Sequence, residues 1–159
     1  MTQENHTKDQ AAAQLSSIRE MLAALECNYD RLEELREEAE SAEVTFTAED
    51  ADELAELEEA ANGCESADEA RERIQEDPLS VQVRSGWHNP GEESSPEEFE
   101  ILLCTGGPAV RIMGDLDKYN QPCRAYIQYQ DWGTPWTDYY EEGVGAACLA
   151  YAQQFYFGD

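Results

Sequence analysis

Outside the carboxylates, few side chains in this sequence could make or break bonds. There are two histidines, His6 and His88, and five cysteines, Cys27, Cys64, Cys104, Cys123 and Cys148, scattered with no C-x-x-C pair. His88 with Cys104 or Cys123 would make a nucleophile pair, and His88 with Asp131 the beginning of a metal site. One histidine among scattered thiols is poor arithmetic for zinc, whose structural sites take four ligands. Thr105-Gly106-Gly107-Pro108 is glycine-rich but has neither GxGxxG nor GK[ST], and is expected as a turn between strands. Paired carboxylates for hydrolysis carry no signal among 36 Asp and Glu. The expectation is a protein that is not an enzyme and holds no cofactor or metal. A small hydrolase built on His88 is the weakest alternative.

Charge is the chemistry in excess. The 36 acids face 10 Lys and Arg, a formal net charge of −26 in 159 residues. Such a balance costs compactness through self-repulsion and projects a long-range negative field. It argues against direct binding of nucleic acid or an anionic membrane, both of which need a basic patch. It favours a basic partner. Residues 49–60, EDADELAELEEA, concentrate seven acids with no base. No apolar leader or run of about 18 apolar residues is seen. The scattered cysteines then suggest reduced thiols and a cytoplasmic protein.

Two regions must position these groups. Residues 1–78 hold 24 acids and 6 bases, and residues 79–159 hold 12 and 4, with the break at Asp77-Pro78. In the first region Leu15, Ile18, Leu22, Leu25, Tyr29 and Leu32 repeat at heptad spacing, which predicts one helix from about Asp9 to Ser41. Thr47 with Asp50 predicts the start of a second helix, Asn62-Gly63 its end, and Ser66 with Glu69 the start of a short third. A helical hairpin with Leu54, Leu57 and Ala61 against the seam is the economical packing, and a homodimer through these helices its competitor. After Pro78 the pattern changes to period two. SVQVRS, FEILLC, AVRIM and CRAYIQY predict a four-stranded antiparallel sheet, and Val144, Ala147, Cys148, Tyr151 and Phe155 a C-terminal helix. The predicted class is α+β.

On this scaffold Glu33, Glu34, Glu37, Glu38 and Glu40 of the first helix, with Asp52, Glu53, Glu56 and Glu59 of the second, form rows of carboxylates. DNA carries one negative charge per about 1.7 Å of axis. The net charge of the helical region, spread along a rod of about 45 Å, gives one per roughly 2.5 Å. The acids are short of neutralising partners, and like charges repel at i,i+4, so stability alone would not select them. The expected role is to stand in for phosphates before a basic DNA- or RNA-binding protein. The rival is an interaction module in which the acids serve solubility only. Its contact would lie on the sheet and the aromatic loop YQDWGTPWTDYY, with Trp132 and Trp136 as anchors. Arg84, Arg111 and Arg124 share one strand parity. One reading lines them up on a sheet face to bind an anion. The favoured expectation pairs them with Glu100 or with carboxylates of the acidic region, fixing the two regions together.

Four stretches, EDPLSVQVRSGW, LLCTGGPAVRIMGDLD, QDWGTPW and YAQQFYFG, lie within residues 76–158. They resemble a family of small acidic proteins carried by phages, plasmids and integrated elements of proteobacteria. The acidic front is more loosely similar. The resemblance implies a setting in which restriction and CRISPR systems must be survived, where acidic DNA mimics recur. It carries over no catalytic motif. The combined expectation is a DNA-mimic inhibitor of a defence nuclease or CRISPR effector.

Overall fold

The computed structural model describes residues 3–158, with side chains from His6 onward. Four helices come first: α1 (Gln3–Glu26), α2 (Tyr29–Glu40), α3 (Ala48–Ala61) and α4 (Ala67–Glu76). Five strands follow: β1 (Ser80–Ser85), β2 (Pro96–Cys104), β3 (Ala109–Leu116), β4 (Pro122–Gln130) and β5 (Thr137–Asp138). Helix α5 (Val144–Ala152) closes the order. The protein is α+β, with N-terminal helices, a five-stranded antiparallel sheet in sequential order and a C-terminal helix. Among the described residues no helix is long and apolar enough to cross a membrane.

The single helix expected from Asp9 to Ser41 is two. α1 stops at Glu26, and the Asn28 side chain accepts the Arg31 amide at 3.1 Å, capping α2. Asparagine ranks among the best N-caps, and here its local bond interrupts an otherwise continuous apolar seam. The fifth strand, unforeseen in the sequence, has only two residues, too few for an alternating pattern to declare itself.

The chain divides into two compact units: α1 up to Ile18 with everything from Ile74 onward, and the segment Arg19–Arg73. These cuts differ from the change of composition at Asp77-Pro78.

In the helical unit three helix ends follow from local chemistry. Thr47 and Asp50 form a reciprocal capping box at the start of α3. Asn62 ends it in the left-handed conformation, φ 49°. Ser66 Oγ accepts the Glu69 amide at 3.1 Å at the head of α4. Leu32 and Leu35 of α2 and Ala61 of α3 are buried. Ala24, Cys64 and Ala70 form a small core with Leu25 and Tyr29 packed against it.

In the sheet unit, cross-strand partners put Ile101, Ile112 and Ile127 in one row and Phe99, Gly114 and Ala125 in the next. All six are buried, as are Ala11, Leu15 and Ile18 of α1 and Cys148, Tyr151 and Ala152 of α5. Gly114 is required by space: a Cβ there would lie 2.0 Å from the Arg124 carbonyl oxygen and 2.4 Å from the Phe99 ring. Phe157, beyond α5, stacks on Phe99 with centroids 5.0 Å apart. The Asn120 amide holds the neighbouring Gly158 carbonyl at 2.9 Å. Tyr151 donates to Asp77 Oδ2 at 2.7 Å, and burial first, then this bond, pushes its phenol pKa far up.

Candidate functional site

Between Arg19 and Arg73 the chain carries 20 Asp and Glu against five Arg, a net of −15. Of the nine carboxylates expected to face a partner, Glu33, Glu34, Glu37, Glu40, Asp52, Glu56 and Glu59 are exposed, while Glu38 and Glu53 are half-buried. The arginines do not dilute the surface evenly. Arg31 reaches from α2 to Glu53 of α3 with two bonds, 2.9 and 3.1 Å, and touches Glu34 on its own helix at 3.1 Å. Arg36 spans to Glu58 at 3.4 Å and Glu65 at 3.0 Å. Arg73 bonds the Asn62 carbonyl at 2.7 Å and Glu69 at 3.5 Å. Exposed pairs of this kind contribute little stability. Their use is positional: bridges between helices fix where the remaining carboxylates stand. The bond from Arg31 holds Glu53 below the usual carboxylate range, and the capping bonds from Thr47 do the same for Asp50.

A second surface is the outer sheet face. Arg84, Glu98, Asp115 and Arg124 are successive cross-strand partners in one row. Arg84 Nε donates to Glu98 at 2.6 Å, and Arg124 stands 3.7 Å from Asp115. Arg111 donates to Glu100 at 2.7 Å and to Gln128 at 3.0 Å, with the Trp136 ring 3.9 Å from its guanidinium carbon. The three sheet arginines do share a face. Each pairs with a carboxylate of the sheet, Glu98, Glu100 or Asp115, rather than with the acidic helical region, because these acids stand on the neighbouring strand. That arrangement neutralises them and leaves no cluster to grip an anion. Trp136 is half-buried on this face; Trp132 is 83% exposed.

Trp132 belongs to a rigid turn. The Thr134 amide donates to the Asp131 carbonyl at 3.1 Å, and Gly133 takes φ 75° at the third position, as a type II turn demands. Asp131 Oδ1 accepts the Trp132 amide at 2.8 Å, and the Thr134 hydroxyl donates to the Asp131 carbonyl at 2.9 Å. The sequence marked these aromatics but not which of them the turn would present. That depends on Arg111 capturing Trp136, a contact across strands.

His88 is not assembled with either candidate thiol. Register places Cys104 at the Ser80 end of the sheet, whereas His88 follows Ser85 at the other. Cys123 is on β4, three strand spacings from β1, about 14 Å. Its thiol donates to the Asp115 carbonyl at 3.4 Å. Burial raises the Cys104 thiol pKa, the reverse of an activated nucleophile. Among the described residues no group of three or more His, Cys, Asp or Glu could hold a metal ion.

Comparison with protein-family models, curated proteins and solved structures yields no match. The resemblance to proteins of mobile elements gains nothing from these comparisons and supplies context alone.

Proposed function

We propose that this protein is an acidic DNA mimic, a cytoplasmic inhibitor that occupies the nucleic-acid groove of a bacterial defence nuclease or CRISPR effector. The observation that carries the reading is the net charge of −15 between Arg19 and Arg73, displayed on helices that Arg31 and Arg36 bridge. A groove evolved for phosphates binds an anionic surface through the same release of counter-ions. Carboxylates fixed before binding cost less ordering entropy than a loose acidic chain. Glu33, Glu34, Glu37, Glu38, Glu40, Asp52, Glu53, Glu56 and Glu59 are the proposed phosphate substitutes. Glu34 and Glu53 answer also to Arg31, and the other seven supply most of the contact.

The test replaces Glu37, Asp52, Glu56 and Glu59 together by Lys and compares capture of proteins from a bacterial lysate. The expected result is recovery of a DNA-processing enzyme by the native chain, its release by duplex DNA and by salt, and at least about tenfold weaker capture by the variant. Undiminished capture of the same enzyme by the variant overturns the proposal.

The second reading, an interaction module that uses the sheet and aromatic loop, is favoured by one observation: the exposed Trp132 on a turn with four internal hydrogen bonds. Rigid aromatic side chains are efficient anchors. In that case Trp132→Ala abolishes capture and the charge reversal leaves it intact.

A further inference from the structure

We propose that β1 is the seam of a homodimer. Two copies of Ser80–Ser85 pair antiparallel about a two-fold axis and join the two sheets into one. This seam is independent of the DNA-mimic reading and differs from the N-terminal helices considered above.

β1 lies at one end of the sheet order, and among the described residues β2 is its one strand neighbour. In an antiparallel ladder alternate residues direct their amides and carbonyls to one neighbour, and the rest point away, ready for another strand. The opposite edge, Thr137–Asp138, is too short to offer the same template. β1 also carries an unfinished apolar surface. Val81 stands opposite Ile101 and Val83 opposite Phe99, and directly opposed residues share a face. The two valines therefore extend the rows that are buried on β2, β3 and β4, yet they are 37% and 46% exposed, with Leu79 beside them at 60%.

Charge selects the occupant. From Leu79 to Gly91 there is no Asp or Glu, in a chain with 36 of them. β1 itself offers a basic partner no carboxylate; two acids of β2, Glu97 beside Gly86 and Glu98 on Arg84, stand at its Ser85 end. A second copy of the same chain, with net charge −26, can lay its β1 against this one without setting a carboxylate of one strand against a carboxylate of the other. Edges meant to stay single are guarded by Lys, Pro or projecting charge. The one charge on β1, Arg84, remains 72% exposed but is drawn back onto Glu98 of β2 and neutralised there. Two-fold symmetry makes strand self-pairing antiparallel, the sense of every ladder in this sheet. With Gln82 opposite its symmetry mate, Val81 meets Val83 of the second copy and Ser80 meets Arg84, so no like charges face each other.

The experiment is sedimentation velocity on the full chain, from low micromolar to hundreds of micromolar. It is run between about 0.1 M and about 1 M salt, over which the Debye length falls from about 10 Å to about 3 Å. The expected result is a mass rising with concentration from 17.9 kDa to twice that value. Dimerisation should tighten as salt rises, because screening weakens repulsion between like-charged copies. Val81→Lys/Val83→Lys changes exposed side chains, so the monomer keeps its circular dichroism while the dimer Kd rises about tenfold or more. Amide exchange of β1 should slow as protein concentration increases. A monomeric mass under every condition overturns the proposal. So does a dimer whose Kd ignores the double substitution and whose β1 exchange ignores concentration.

Discussion

Gly114 has a role that composition alone conceals. Its missing side chain admits the Phe99 ring from one strand and the Arg124 carbonyl from another. The expected outcome of Gly114→Ala is a loss of about 3 kcal/mol, read as a lower urea midpoint with unchanged slope. Overpacking against a backbone oxygen cannot be relieved by a rotamer change. A melt within 0.5 kcal/mol or so of the native one would show that the sheet gives way more easily than its geometry implies. The tryptophans show where reading by residue type stops. Trp132 and Trp136 are alike in sequence context, and their fates diverge because the Arg111 guanidinium sits 3.9 Å from the Trp136 ring centre. That contact joins β3 to the segment before β5, and nothing in the spacing of the loop foretells it.

Helix ends were the most legible elements. Thr47 with Asp50, Ser66 with Glu69, and Asn62 are self-contained instructions whose partners lie within four residues. Three of the four longer strands declared themselves through alternation for the same reason, and the fourth, FEILLC, through an apolar run on both faces. The boundary at Asn28 did not, because the apolar heptad spacing runs through it without a break. The deciding bond to the Arg31 amide is visible only when folded. Two carboxylates give α2 and α3 an acid response. Asp50 and Glu53 are held below their ordinary pKa by the Thr47 cap and the Arg31 guanidinium. A depressed folded pKa means that their stabilising contribution is complete above the unfolded value and is lost as pH falls through the folded one. The stability gap between the native chain and Glu53→Gln should thus be constant above about pH 5 and close at lower pH. Paired denaturant titrations across that range measure it. A gap that persists at the acid end would mean that Glu53 acts through packing and not through Arg31.

At the scale of the whole molecule, the proposed functions separate by their dependence on salt. Capture of a basic groove by the helical unit should weaken as ions are added, whereas self-pairing through the acid-free β1 edge should strengthen. Sequence made the first surface conspicuous, since charge is countable without a fold. It hid the second: the same SVQVRS serves equally as an inner or an outer strand until topology places it at the margin.

The arginine bridges of the helical unit have one more consequence. Because Arg31, Arg36, Arg71 and Arg73 are engaged with acids inside their own unit, compensation of the surplus falls to the solvent. If the mimicry holds, magnesium and polyamines are expected to gather over α2 and α3 as they do over a nucleic acid. On an anion exchanger the protein will travel among oligonucleotides and apart from proteins of its mass.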